Sequence, residues 1–220
     1  MGNIKLIVML THNDFTVKNA REIFESCKDS RVQCWGFKDK GIPFEEMKSL
    51  YTYMKSHGKT TVLEIVEYDE AESLVGAKLA VECECDILMG TTYSPLVSDY
   101  CKKHNLKYMP FAGDVSERPS LLKGDINEII QSARRLGDQG IHGFDLLGFR
   151  YTGDAVKLIS EFVTSIDQPV CVAGSIDSYE RLDFIKEVSP WAFTIGSAFF
   201  DNKFDGTFKE QVNKVYEYIQ

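Results

Sequence analysis

At 220 residues, 44% hydrophobic and 26% charged, the chain has the make-up of an ordinary globular protein with room for one substantial core. A net charge of −8 argues against nucleic acid or an anionic membrane as the main partner, so any bound anion must be held by local amides and a few cations. The longest apolar runs, 6–10 and 170–173, are too short to span a bilayer and no signal peptide opens the sequence, which makes a cytoplasmic protein the expectation.

Strand candidates begin near Lys5, Gln33, Thr61, Asp86, Lys107, His142, Val170 and Ala192. Their mean spacing, about 27 residues, is that of a compact βα unit. Amphipathic helix patterns fill the gaps and a further one, over 208–219, closes the chain. The expected architecture is therefore α/β: a single (β/α)8 TIM barrel domain over 1–220. A dinucleotide-binding sheet wants a Gly-rich turn after its first strand, but KLIVML runs into Thr11-His12-Asn13-Asp14 without a glycine.

In a barrel strand, alternate residues face the helices and must be apolar. Strand one gives no clear parity, so His12 at its end is placed only by position. On strand two, Trp35 and Phe37 suit the outer set, leaving Cys34, Gly36 and Lys38 inward. On strand three, Leu63 and Ile65 leave Val62, Glu64 and Val66 inward, and on strand six, Phe144 and Leu146 leave Asp145 and Leu147 inward. Charges on an inner wall are costly unless paired or open to the mouth, so Lys38, Glu64 and Asp145 are expected to converge. They form either a catalytic set or a salt-bridge network without chemistry.

After strand five, 112–124 is the longest segment without regular pattern and reads as a structureless excursion or a binding loop carrying Arg118. A helix start follows near Asp125, with Glu128 three residues on. His57 and His104 fall at helix ends and His142 at the start of strand six, a scatter without zinc-ligand spacing. Cys83-Glu-Cys85 lacks a second nearby pair, so neither a metal nor any other cofactor is expected.

The final βαβ unit, 169–200, has two short strands that each run into Gly-Ser, with a helix pattern over Tyr179–Val188 between them. Glycine at a strand end lets backbone N–H groups approach a ligand, and a helix start behind it adds a positive dipole end. In (β/α)8 barrels the usual phosphate site lies after strands seven and eight. Gly174, Ser175, Gly196 and Ser197 are thus the expected phosphate ligands, with parity allowing Val172, Gly174, Thr194 and Gly196 to face in. His12, Arg118 and Arg150 are candidate substrate contacts.

The strand ends VAGSI and WAFTIGSAFF resemble those of the ribulose-phosphate-binding barrel superfamily, which includes phosphoribosyl isomerases, ribulose-phosphate epimerase and 2-keto-3-deoxy-6-phosphogluconate aldolase. That likeness implies a phosphorylated substrate and says nothing of the reaction. Over the whole chain, KLIVMLTHND, WGFKDKG, LLGFRYTGD, AGSIDSYER and PWAFTIGSAFF look like a small bacterial family of barrels, some of which bear the name 4-hydroxythreonine-4-phosphate dehydrogenase. The residues do not fit that activity: they offer no matching histidine set and no dinucleotide fingerprint. The strand-six lysine of the aldolase is also missing, with Asp145 in its region, as are the epimerase's paired histidines.

The resulting expectation is an enzyme acting on a small phosphorylated metabolite by isomerase, epimerase or aldolase-type lyase chemistry. Asp145 or Glu64 would be the general base, and Lys38 the electrophile, as an ammonium or, with a depressed pKa, as an imine-forming amine. The alternative is a non-catalytic phosphometabolite-binding barrel. The expected partner is the small molecule, with a second copy of the chain as a candidate and no nucleic acid or membrane.

Overall fold

The computed structural model describes residues 3–220. Eight parallel strands form the sheet: β1 Lys5–Met9, β2 Cys34–Lys38, β3 Thr60–Ile65, β4 Ile87–Gly90, β5 Lys107–Met109, β6 Phe144–Leu146, β7 Val170–Val172 and β8 Ala192–Ile195. Their ladder runs β6-β7-β8-β1-β2-β3-β4-β5. The ring closes just beyond β5, where Phe111 bridges Asp145 in parallel. There Asp145 N donates to Pro110 O at 2.9 Å and Ala112 N to Asp145 O at 3.1 Å. The result is a (β/α)8 barrel, and every strand begins within two residues of its expected start.

Nine α-helices occur among the described residues: α1 Ala20–Cys27, α2 Phe44–Ser56, α3 Glu70–Glu82, α4 Pro95–Lys103, α5 Ile126–Gly137, α6 Ala155–Ser165, α7 Tyr179–Val188, α8 Ser197–Phe200 and α9 Phe208–Tyr218. Side-chain caps set several starts. Asp125 accepts from the amides of Asn127 and Glu128, and Thr207 with Glu210 completes a reciprocal box at α9. His57 and His104 are the C-cap residues of α2 and α4.

The two faces of the strands sort as the closed ring requires. Ile7, Met9, Cys34, Val62, Ile87, Met89, Met109, Cys171 and Ala192 fill the interior. Trp35, Phe37, Leu63, Phe144, Leu146 and Phe193 pack outward in the larger core under the helices. One parity expectation is corrected: on β7, Cys171 points inward and Val172 lies in the outer core. The paired Cys83 and Cys85 are buried free thiols, which burial pushes up to about 11 and about 12.

Two hairpins crown the mouth, and neither was expected. Thr11–His12 pairs antiparallel with Phe15–Thr16 across Asn13-Asp14, both at positive φ, the geometry of a tight two-residue turn. The segment 112–124 is not structureless: Asp114–Ser116 pairs with Leu121–Lys123, burying Val115 against Leu122 while Asp114 and Lys123 face each other outside. Three-residue strands are too short to announce themselves by alternation.

Gly36 makes the space beneath the mouth. A Cβ there would lie 2.5 Å from Val62 O and 2.9 Å from Val62 Cβ, on the neighbouring strand. Gly36→Val should therefore destabilise the barrel by about 3 kcal/mol through overpacking. Urea denaturation followed by tryptophan fluorescence measures it, and a loss below about 1 kcal/mol would contradict the packing described.

Candidate functional site

The carboxyl ends of the strands surround a cavity of about 240 Å³. Lys38 and Glu64 are register partners on β2 and β3 and both point into it, 3.6 Å apart from Nζ to Oε1. The first hairpin supplies a third member that the sequence reading left aside: Lys38 Nζ donates to Asp14 Oδ1 at 2.6 Å. Thr16 fixes that placement, donating from Oγ1 to Lys38 O at 2.6 Å and accepting from Lys38 N at 3.1 Å. Desolvation works against the Lys38 ammonium, but the charges of Glu64 and Asp14 outweigh it and hold the pKa above the usual lysine value. This direction favours the ammonium and is opposite to the depressed pKa that an imine-forming amine needs. Burial likewise opposes the Asp14 carboxylate, and the bond and charge of Lys38 overcome it, lowering the pKa.

Asp145 sits deeper. It is fully buried, and neither carboxyl oxygen has a hydrogen-bond partner among the described residues. Desolvation, then the charge of Glu64, raise its pKa well above the carboxylate range, against the weaker pull of Lys38 and Arg150. Burial thus favours the protonated form of Asp145, and only Glu64 of the two lines the cavity. A base facing a ligand from this wall is Glu64.

The opposite wall is built from β7 and β8. Gly174 and Ser175 take consecutive positive φ values of +85° and +57°, which turns the backbone toward the cavity. Arg181 on α7 supports this turn, donating to Ser175 O and to Asp177 Oδ1 while its guanidinium lies over Phe149. Among the described residues, the amides of Gly174 and Ser175 donate to no backbone carbonyl. Arg150, on the 3-10 turn Gly148–Arg150, lies directly against Gly174, its Cγ 2.9 Å from where a Cβ would sit. No carboxylate lies within ion-pair distance of Arg150 among the described residues. Free amides beside an unpaired guanidinium can hold an anion with charge-assisted bonds.

Other expected residues fall into different roles. Ser197 lines the cavity, but its Oγ accepts from Asn13 N at 3.2 Å and so ties the first hairpin to the end of β8. A Cβ on Gly196 would meet Thr11 O at 2.9 Å, so this glycine answers to the approach of β1, and a bulky residue there would strain the strand ends before it touched a ligand. The helix behind it, α8, has only four residues and adds little dipole. His12 does not itself line the cavity: it pairs at 3.0 Å with Asp201, which does, and stacks on Phe200. Arg118 pairs with Glu67 at 2.7 Å beside a neighbouring compartment. Lys203, on the loop after α8, reaches the cavity from a stretch with no periodic signal. Among the described residues no three His, Cys, Asp or Glu side chains gather in a metal-binding group, and no helix is long and apolar enough to cross a membrane.

This architecture is a (β/α)8 barrel, and solved structures share it over nearly the whole chain. Orotidine 5'-monophosphate decarboxylase of Methanocaldococcus jannaschii superposes with a TM-score of 0.72 at 14% identity, covering 100% of both chains. N-acetylmannosamine-6-phosphate 2-epimerase of Clostridium perfringens gives 0.65 at 12%, covering 98% of this chain and 93% of that one. A glycerol uptake operon antiterminator regulatory protein of Listeria monocytogenes str. 4b F2365 gives 0.59 at 13%, covering 90% and 94%. No family model and no curated protein matches the sequence.

The neutral state of Asp145 has a sign that can be checked. The folded state keeps a proton that the unfolded chain releases above the ordinary value of 3.8. Stability is therefore lost as pH rises from that value toward the raised pKa of Asp145. Asp145→Asn removes this linkage, so the variant should gain stability relative to wild type between about pH 5 and about pH 8. Urea titrations at both pH values measure the difference, and a gap that stays constant would show that Asp145 is ionised in the fold.

Proposed function

We propose that the barrel is an enzyme acting on a small phosphorylated metabolite, by proton transfer at a carbon next to a carbonyl group. The observation that carries this is the pairing, in one cavity, of an unpaired Arg150 beside free amides with an inward Lys38–Glu64 pair. The phosphate would lie on Arg150 and the amides of Gly174 and Ser175, with Ser197 and Gly196 at its border. That end leaves the substrate carbonyl facing Lys38. Glu64 would take the proton from the adjacent carbon, and the Lys38 ammonium would neutralise the charge that develops on the oxygen. Asp145, neutral and behind Glu64, would keep the base from gaining a second negative neighbour. A base beside an ammonium on one wall, Glu64 next to Lys38, suits a proton taken and returned on one face of the substrate, as in an isomerase. Lyase chemistry through an imine loses its nucleophile when Lys38 is held as an ammonium. The phosphates in the names of the decarboxylase and the epimerase support the substrate class. The regulatory protein of similar fold keeps a second reading in view, a barrel that binds such a metabolite without turning it over.

Calorimetry with inorganic phosphate tests the anion end. Arg150→Ala should weaken binding roughly thirtyfold, the loss of about 2 kcal/mol in charge-assisted bonding; unchanged affinity would remove Arg150 from the site. For the chemistry, metabolites retained by the native protein would be identified by mass spectrometry and incubated with it in deuterium oxide. Wild type should wash deuterium into the carbon beside the carbonyl. Glu64→Gln and Lys38→Met should each slow the exchange by at least about a hundredfold, with phosphate affinity within about twofold of wild type. A retained phosphorylated metabolite that exchanges no proton would favour the binding protein instead.

A further inference from the structure

A second compartment of about 320 Å³ adjoins the cavity, and Asp14, Lys38 and Ser120 line both. Its volume is near the lower end of small-molecule pockets, roughly 300–1,000 Å³. The two hairpins make its walls. Phe15 from the first is 57% exposed, an unusual state for a large aromatic on so short a strand. Val66 and Pro119 add apolar surface from the end of β3 and from the second hairpin.

These walls are held in place without a ligand. Thr16 N donates to Lys40 O at 2.7 Å, fixing the first hairpin to the end of β2. Tyr68 OH bonds Ser120 Oγ at 2.7 Å and donates to Glu117 O at 2.6 Å, fixing the second. The cations at the rim are already engaged: Arg118 and Lys40 share Glu67, at 2.7 and 2.9 Å. Burial raises the pKa of Asp39, the remaining acid of the lining, which weakens its charge further. Among the described residues, every cation lining the compartment is thus already bonded to a carboxylate, unlike Arg150 in the first cavity. The compartment does offer an open aromatic face, and a guanidinium already lying 5.4 Å over the Tyr68 ring.

We infer that this compartment receives a flat aromatic group at the end of the substrate remote from its phosphate. The inference rests on the phosphate reading above and narrows the substrate class to phosphate esters with an aryl or heteroaryl end. Phe15 would stack on the ring, Val66 and Pro119 would cover its edges, and Arg118 would approach its face.

The test uses phenylalkyl phosphates with linkers of increasing length, each compared with the matching n-alkyl phosphate by calorimetry on the full chain. At the best linker the ring should tighten binding roughly tenfold or more. Phe15→Ala should erase most of that gain while leaving the affinity for inorganic phosphate within about twofold, because Phe15 is exposed and remote from Gly174. Phe15→Trp should keep the gain and report the ring by a fluorescence change that n-alkyl phosphates do not produce. Equal affinities throughout the paired series, or a gain that survives Phe15→Ala, would overturn the aromatic compartment. Failure of the phosphate reading looks different: inorganic phosphate would not bind, while the phenylalkyl alcohols would still bind and change the Phe15→Trp signal. In that outcome the compartment stands and the phosphate ester class falls.

Discussion

A closed ring of parallel strands admits water to its interior only at the two ends, and the chemistry of this protein is sorted by that constraint. Low in the barrel, Ile7, Val62, Ile87, Met109 and Ala192 leave nothing polar to satisfy. Lys38 and Glu64 stand at the mouth with side chains only 12% and 16% exposed, where each has the other as a partner and Lys38 also has Asp14. Asp145 lies too deep for that solution. Its backbone closes the ring against Pro110 and Ala112, so its side chain is committed to the interior, where a neutral form is the one that burial tolerates.

The hairpins convert this ring into a site. A two-residue turn at Asn13-Asp14 folds the chain back over β2, and Thr16 locks it there through both the N–H and the carbonyl of Lys38. Asp14 is thereby suspended over Lys38, while Asn13 is bonded to Ser197 at the far strand end. One short turn links the ionic wall to the wall of glycines, so a shift in either is felt by the other.

What could be read from the sequence depended on how unequal the two faces of each strand are. On β2, Trp35 and Phe37 can belong only outside, which forces Lys38 inward, and β3 and β6 yield Glu64 and Asp145 in the same way. On β7, Val-Cys-Val is apolar on both faces, and only packing decides that the small Cys171 fits the interior. Asp14 and Lys203 were hidden for another reason: they come from a tight turn and a loop, where no period links sequence to direction. Arg150 was visible as a residue following strand six, but its contact with Gly174 depends on a 3-10 turn that brings it back across β7.

The cations around the cavity differ in what they still lack. Lys38 is matched by two carboxylates and Arg181 by Asp177 and a carbonyl, whereas Arg150 faces no carboxylate at pairing distance among the described residues. In a chain of net charge −8, such an unmatched cation attracts an incoming anion locally where the global field does not. Its charge also opposes the Lys38 ammonium from across the cavity, lowering the lysine's pKa against the pull of Glu64 and Asp14. An anion seated on Arg150 would cancel that opposition. Lys38 would then hold its proton more firmly when the site is filled than when it is empty, so an anion at the glycine wall favours the charged form of the lysine on the other.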